Sequence, residues 1–128
     1  MPTLDALELA DRLFGAIVRG DLDAVREIYA PKIEVWHNFD RVAQSLEDNL
    51  RVLAWVVKNV RGLRYEEVHR QRTETGFIQE HVLRGTTHHG EALEVAACLV
   101  CRVEDGRITQ IHEYLDSAQL APLLRPGR

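Results

Sequence analysis

The sequence predicts an α+β domain in which three helices come first and a meander of antiparallel strands follows. Three observations predict it. Apolar residues recur at helical spacing over the first half of the chain. From Gly62 onward the texture changes to long alternating segments. Asp105-Gly106 then sits between two alternating runs, the strongest short hairpin signal a sequence carries.

Each element has its own signals. Residues 3–19 carry Ala6, Ala10, Leu13, Phe14, Ile17 and Val18 on a helical stripe, with Thr3 as the expected N-cap and Gly20 as the stop. Asp21 caps a second short helix, "LDAVREIY", ended by Pro31. "KIEVWHNF" reads as a strand. "SLEDNLRVLAWVVKNV" reads as a third helix, apolar at Leu46, Leu50, Leu53, Val57 and Val60. Ser45 and Asp48 open it as a capping box with Asp in place of Glu. Extended segments are predicted near 63–74, 76–88, 92–104 and 107–116. They turn at Thr75-Gly76, at His88-His89-Gly90 and at Asp105-Gly106. "SAQLAPLL" closes the chain as a short helical tail.

The 128 residues suffice for one domain, 1–128, with a real core. A net charge of −4 and no basic run argue against nucleic acid as a partner. No apolar run approaches the ~20 residues that span a bilayer, so no membrane partner is expected. The N-terminal "MPTLDALELADRLF" is acidic and amphipathic, unlike a signal peptide, and a cytoplasmic location is expected. Cys98 and Cys101 form C-x-x-C inside a strand. That spacing puts them on opposite faces, as reduced thiols rather than a redox or metal pair.

"IHEYLD", residues 111–116, raises the functional question. On a strand, Ile111, Glu113 and Leu115 share one face. A carboxylate between two apolar neighbours is costly unless paired, hydrogen-bonded or protonated. If that face lines an interior, burial raises its pKa and makes Glu113 a usable general base or acid. The alternative is a slipped strand, with Glu113 bridged to Arg102 or Arg107. The opposite sheet face carries Cys98, Val100 and Tyr114. A second apolar face on an antiparallel sheet implies another layer, most simply a second subunit.

The order of elements, with "VWHNFD" early and "VEDGRITQIHEYLD" late, resembles the SnoaL-like branch of the nuclear transport factor 2-like superfamily over nearly the whole chain. The resemblance implies a curved sheet wrapped around the helices into a cone, with a deep apolar pocket at the open end. It also implies homodimers through the outer sheet face. Polyketide cyclases, ketosteroid isomerases, scytalone dehydratase and limonene epoxide hydrolase share this fold, as do members that bind without catalysis. Against the epoxide hydrolase pattern, Glu113 takes the place of the acid on the last strand. Gln79 stands where that family has Arg, His81 where it has Asp, and Trp36 and Asn38 stand for its Tyr-x-Asn pair. Only the Asn is kept in kind and the last acid in charge, so His81 with Glu113 resembles the cyclases and isomerases more closely.

Single residues are read both ways. His81 alternates with Phe77, Gln79 and Leu83. It is either a core histidine bonded to a carbonyl or, with Glu113 on a neighbouring strand, a base or hydrogen-bond donor. Trp36 and Asn38 share a face with Glu34. They serve either a pocket, as apolar wall and carbonyl donor, or packing and a turn. His37 is expected to point outward. Tyr65 places a hydroxyl near the mouth or is structural. Asp40 reads as a loop residue, and "RYEEVHRQRTE" as a solvated stretch. His88-His89 point apart and predict no metal site. No phosphate loop and no nucleophile elbow appear. What remains is acid–base chemistry without metal or cofactor, with Glu113 and His81 catalytic and Trp36, Asn38, Gln79 and Tyr65 holding a small apolar molecule. The preferred reaction moves a proton next to a carbonyl, as in isomerisation or aldol cyclisation. Epoxide hydrolysis and binding without chemistry are the alternatives.

Overall fold

A computed structural model describes residues 5–125. Helices α1 (Ala6–Arg19) and α2 (Leu22–Ile28) lead into strand β1 (Tyr29–His37), a short β2 (Ala43–Gln44) and helix α3 (Leu46–Asn59). Four strands follow: β3 (Val60–Arg72), β4 (Gly76–Thr87), β5 (Ala92–Glu104) and β6 (Arg107–Leu115). A 3₁₀ turn, Ser117–Leu120, and a short α4 (Ala121–Leu124) end the chain. No described helix is long and apolar enough to cross a membrane.

The local signals act as their chemistry dictates. Gly20 closes α1 in the left-handed region at φ 70°, and the Gly20 and Asp21 amides donate to the carbonyls of Ile17 and Ala16, a Schellman closure. Asp21 then accepts from the Ala24 amide to start α2. Ser45 and Asp48 form the reciprocal box at the start of α3. Asp105 and Gly106 both take positive φ, as a two-residue hairpin turn requires. At the front of α1, the expected cap Thr3 lies outside the described residues. Asp5 stands there, spending its carboxylate on Arg72 of β3 rather than on a cap.

The six strands run in the order β2-β1-β6-β5-β4-β3. β3 to β6 form the expected antiparallel meander, but β1 runs parallel to β6, with Val35 opposite Ile111 and His37 opposite Glu113. The sheet is therefore mixed at one pairing. β3 starts three residues earlier than its sequence pattern suggests, because α3 passes into it at Val60 without a loop. Two register shifts bend β3, one at Gly62 and one at Glu67, each holding positive φ. The shifts curl the sheet around the helices.

The core lies between the concave sheet face and α1. Leu9, Leu13, Phe14 and Ile17 meet Leu93, Val95, Leu99 and Ile111 there. Burial alternates along β1, with Ile33 and Val35 inside and Glu34 outside. This corrects two sequence expectations. His37, expected outside, shares the inner face with Val35. Trp36, expected in the pocket, lies on the outer face against His112 and Tyr114, with ring centroids 4.9 and 5.5 Å away.

Candidate active site

The helices do not fill the cone. Between α1, α3, the C-terminal tail and the concave sheet lies a cavity of about 700 Å³, within the size range of small-molecule sites. Its wall is mostly apolar, with Phe14, Leu63, Val95 and Leu99 deep and Val52, Trp55 and Leu124 towards the opening. Among the described residues, Arg51 is the single Lys or Arg side chain in the lining, and Asp48 pairs with it.

Glu113 lines this cavity between Ile111 and Leu115. Its partner is neither Arg102 nor Arg107. His37 Nε2 donates to Glu113 Oε1 at 2.8 Å, across the parallel β1–β6 pairing. Both side chains are largely buried. Burial pushes the His37 imidazole down, but the hydrogen bond and charge of Glu113, with Asp40 nearby, raise it above the ordinary value. His37 Nδ1 is buried with no partner among the described residues. Asp40 is a loop residue at the rim, accepting from the Val42 amide.

His81 also lines the cavity, on β4, and its ring packs edge-on against Phe14 and Tyr65. It is not on a strand next to Glu113, as the sequence suggested. β5 lies between them, with Leu99 opposite both Glu113 and Gln79, so two strand spacings of roughly 10 Å separate their strands. Gln79 is fully buried and does not line the cavity, so it is not placed to hold a ligand. It holds His81 instead. Arg70 Nε donates to Gln79 Oε1 at 2.6 Å, which fixes the amide, and Gln79 Nε2 donates to His81 Nδ1 at 2.8 Å. An accepting Nδ1 puts the ring proton on Nε2. Burial and the Arg70 cation hold His81 below the ordinary imidazole value, against the pull of Glu113. His81 is a neutral ring with one N–H to give.

Tyr65 lines the cavity as the sequence allowed, and burial pushes its phenol upward, so it stays protonated. Asn38 does not line it. Its Oδ1 accepts from the Leu115 amide and its own amide donates to the Glu113 carbonyl, so it splices the end of β1 to β6.

Sequence reasoning missed four contributors. His37 was legible from the Ile33, Val35, His37 alternation. Arg70 was not, because the shift at Glu67 inverts the strand: Tyr65 and Arg70 face the same side despite opposite parity. Gln44 sits on a two-residue strand too short to show a period. Trp55 belongs to a second apolar stripe of α3, with Val52 and Val56, set at the cavity beside the core stripe.

A curved mixed sheet wrapped on helices around an apolar cavity is the architecture on which the comparisons converge. The chain belongs to the SnoaL-like domain family, whose model matches residues 10–111. No curated protein matches it in sequence. Among solved structures, it is similar to a protein assigned as a polyketide cyclase from Xanthomonas campestris pv. campestris. That match has a TM-score of 0.81 at 18% identity over 94% of this chain and 96% of that one. A protein with a ketosteroid isomerase-like fold from Catenulispora acidiphila DSM 44928, in complex with trimethylamine, gives 0.77 at 16% over 93% and 94%. An LEH-like epoxide hydrolase from M. tuberculosis gives 0.75 at 20% over 94% and 90%. At these identities the likeness is one of fold, and the cavity must speak for the chemistry.

Proposed function

We propose that this protein is a cofactor-independent enzyme that moves a proton next to the carbonyl of a small, neutral, mostly apolar molecule. The observation that carries the reading is the opposite treatment of two buried histidines. His37 is drawn towards its charged form beside Glu113, while His81 is locked neutral with its N–H towards the cavity.

The roles follow from these states. Glu113 has one oxygen on His37 and the other, unpartnered among the described residues, takes a proton from the carbon beside the carbonyl. The developing enolate oxygen accepts from His81 Nε2–H, in a dry wall where such a bond counts most. A neutral imidazole gives up no competing proton there. The abstracted proton returns from Glu113 to a different carbon in an isomerisation. In a cyclisation the enolate carbon attacks a second carbonyl of the same molecule, whose π bond opens to an alkoxide, and the proton returns from Glu113 to that alkoxide oxygen. Epoxide hydrolysis lacks comparable support, since Gln79 and His81 replace its Arg and second carboxylate. The outer face suits a second copy of this chain. Ile78, Val100 and Trp36, with His112 between the last two, lie across four strands, a largely apolar row expected to meet itself in a homodimer.

The test is exchange of ketone α-protons for deuterium, followed by proton NMR with a panel of cyclic apolar ketones. Glu113→Gln is expected to lower the exchange rate by about 10²–10⁴-fold. Binding, read from Trp55 fluorescence in a Trp36→Phe background, is expected to stay. Exchange at wild-type rate in Glu113→Gln, or ketone binding with no exchange in the wild type, would leave a carrier rather than an enzyme.

A further inference from the structure

The cavity has a second polar pole that the proton-transfer reading does not use. The Tyr29 hydroxyl is buried and donates to Asn49 Oδ1 at 2.8 Å, its one hydrogen-bond partner among the described residues. Turning the Asn49 amide over would leave a buried O–H without an acceptor, at a cost of about 1–3 kcal/mol. The amide orientation is therefore set by Tyr29. Asn49 Nδ2 in turn donates to Gln44 Oε1 at 2.9 Å. That occupies the acceptor end of Gln44 and leaves its NH₂ end with no acceptor among the described residues. Gln44 lies opposite inward-facing Val35, so it shares the concave face, and it lines the cavity.

The same construction occurs at the other end. Arg70 sets Gln79, Gln79 sets His81, and the Nε2–H of this cavity-lining ring is left without a partner among the described residues. Two buried relays thus finish in two fixed donors, on β2 and on β4. Glu113, on β6, lies between them in the sheet order. Each donor loses its water when an apolar ligand enters, and stays unpaired unless that ligand brings an acceptor.

We infer that Gln44 is a second oxygen-binding residue, and that the ligand is an apolar molecule with two acceptor oxygens, one for His81 and one for Gln44. This rests on the reading of the cavity as a ligand site, but not on proton transfer at Glu113. Gln44 then sets specificity by rejecting molecules of the same shape that carry a single oxygen.

The experiment compares mono-ketones with diketones of one skeleton, using anthrone with anthraquinone and androstanone with androstanedione. Calorimetry supplies each Kd for the wild type, Gln44→Glu and Gln44→Met. Gln44→Glu keeps the acceptor for Asn49 and removes the donor; Gln44→Met removes both. The wild type is expected to favour the diketone about tenfold in at least one pair, the equivalent of one well-made hydrogen bond. Both variants are expected to bring that ratio to about one by weakening diketone binding. A wild-type ratio near one in both pairs, or no binding by any probe, overturns the inference. So does a preference that survives in either variant, which would leave Gln44 as a support for Asn49 alone. Glu113→Gln is run in parallel and is expected to keep the diketone preference. Loss of exchange with the ratio intact separates the fate of the base from that of Gln44.

Discussion

At the scale of residues, the site depends on which nitrogen of each imidazole holds a proton. His37 is raised by Glu113, so its contribution to stability is complete below the ordinary imidazole value near 6.5 and is lost as pH rises through the raised value. His81 is depressed, so its contribution is complete above that ordinary value and is lost as pH falls towards the depressed one. Unfolding by urea across a pH series is expected to show His37→Gln flattening the neutral-to-alkaline limb and His81→Gln flattening the acid limb. Identical limbs in both variants would contradict the assignment. The Gln79 relay is testable separately. Gln79→Glu keeps the shape and the Arg70 partner but presents an acceptor to His81 Nδ1. Imidazole nitrogen NMR should then find His81 protonated at both nitrogens at neutral pH, where the wild type carries only the Nε2 proton.

Residues also show where sequence reading succeeds. Glu113 was legible because Ile111 and Leu115 flank it on an unbroken alternation. His37 is equally legible from Ile33 and Val35, whereas the Tyr-x-Asn likeness selects Trp36 and Asn38, which have the opposite parity. Arg70 was beyond reach. A shift at one residue, Glu67, turns an apparently solvated arginine inward until its side chain is 17% exposed.

At the scale of elements, α3 divides its duties. Leu46 and Leu50 are buried, whereas Val52 and Trp55 are exposed beside the cavity. Trp55 is 42% exposed, so Trp55→Ala is expected to change stability by no more than about 0.5 kcal/mol. It is expected to weaken apolar ligands several-fold, as calorimetry would register. Ser45→Ala should do the reverse, costing about 1 kcal/mol in denaturant unfolding with ligand affinity kept, because it removes a cap and touches no ligand. Caps and turns such as Ser45, Asp21, Gly20 and Asp105-Gly106 were read correctly from sequence because each acts within a few residues. The direct passage from α3 into β3 left no turn residue to read.

At the scale of the whole molecule, helix-then-strand order was enough to predict the layers, and the alternation of β5 enough to assign its two faces. Which strands would neighbour β1 was not written in any local pattern, since that pairing joins distant parts of the chain. The outer face offers the corresponding prediction. Val100→Glu puts a carboxylate in the middle of that row and is expected to yield a folded monomer by analytical ultracentrifugation, where the wild type is expected to sediment as a dimer. A wild-type monomer would leave that row without a partner.

The parallel seam between β1 and β6 also governs how the chain comes to be folded. β1 is made about seventy residues before β6, the strand that covers its edge. Until residues near 111 emerge, Ile33 and Val35 have only the two-residue β2 beside them, and Glu113 is not there to meet His37. A nascent chain halted anywhere before Arg107 therefore carries an open, apolar strand edge, the kind of surface that recruits chaperones or sticks to its neighbours. Closing so long a loop makes the first-to-last pairing a slow step of folding. The His37–Glu113 pair is assembled by that same closure, so the proposed proton-transfer activity is expected to appear only once β6 has docked and to serve as a late marker of folding.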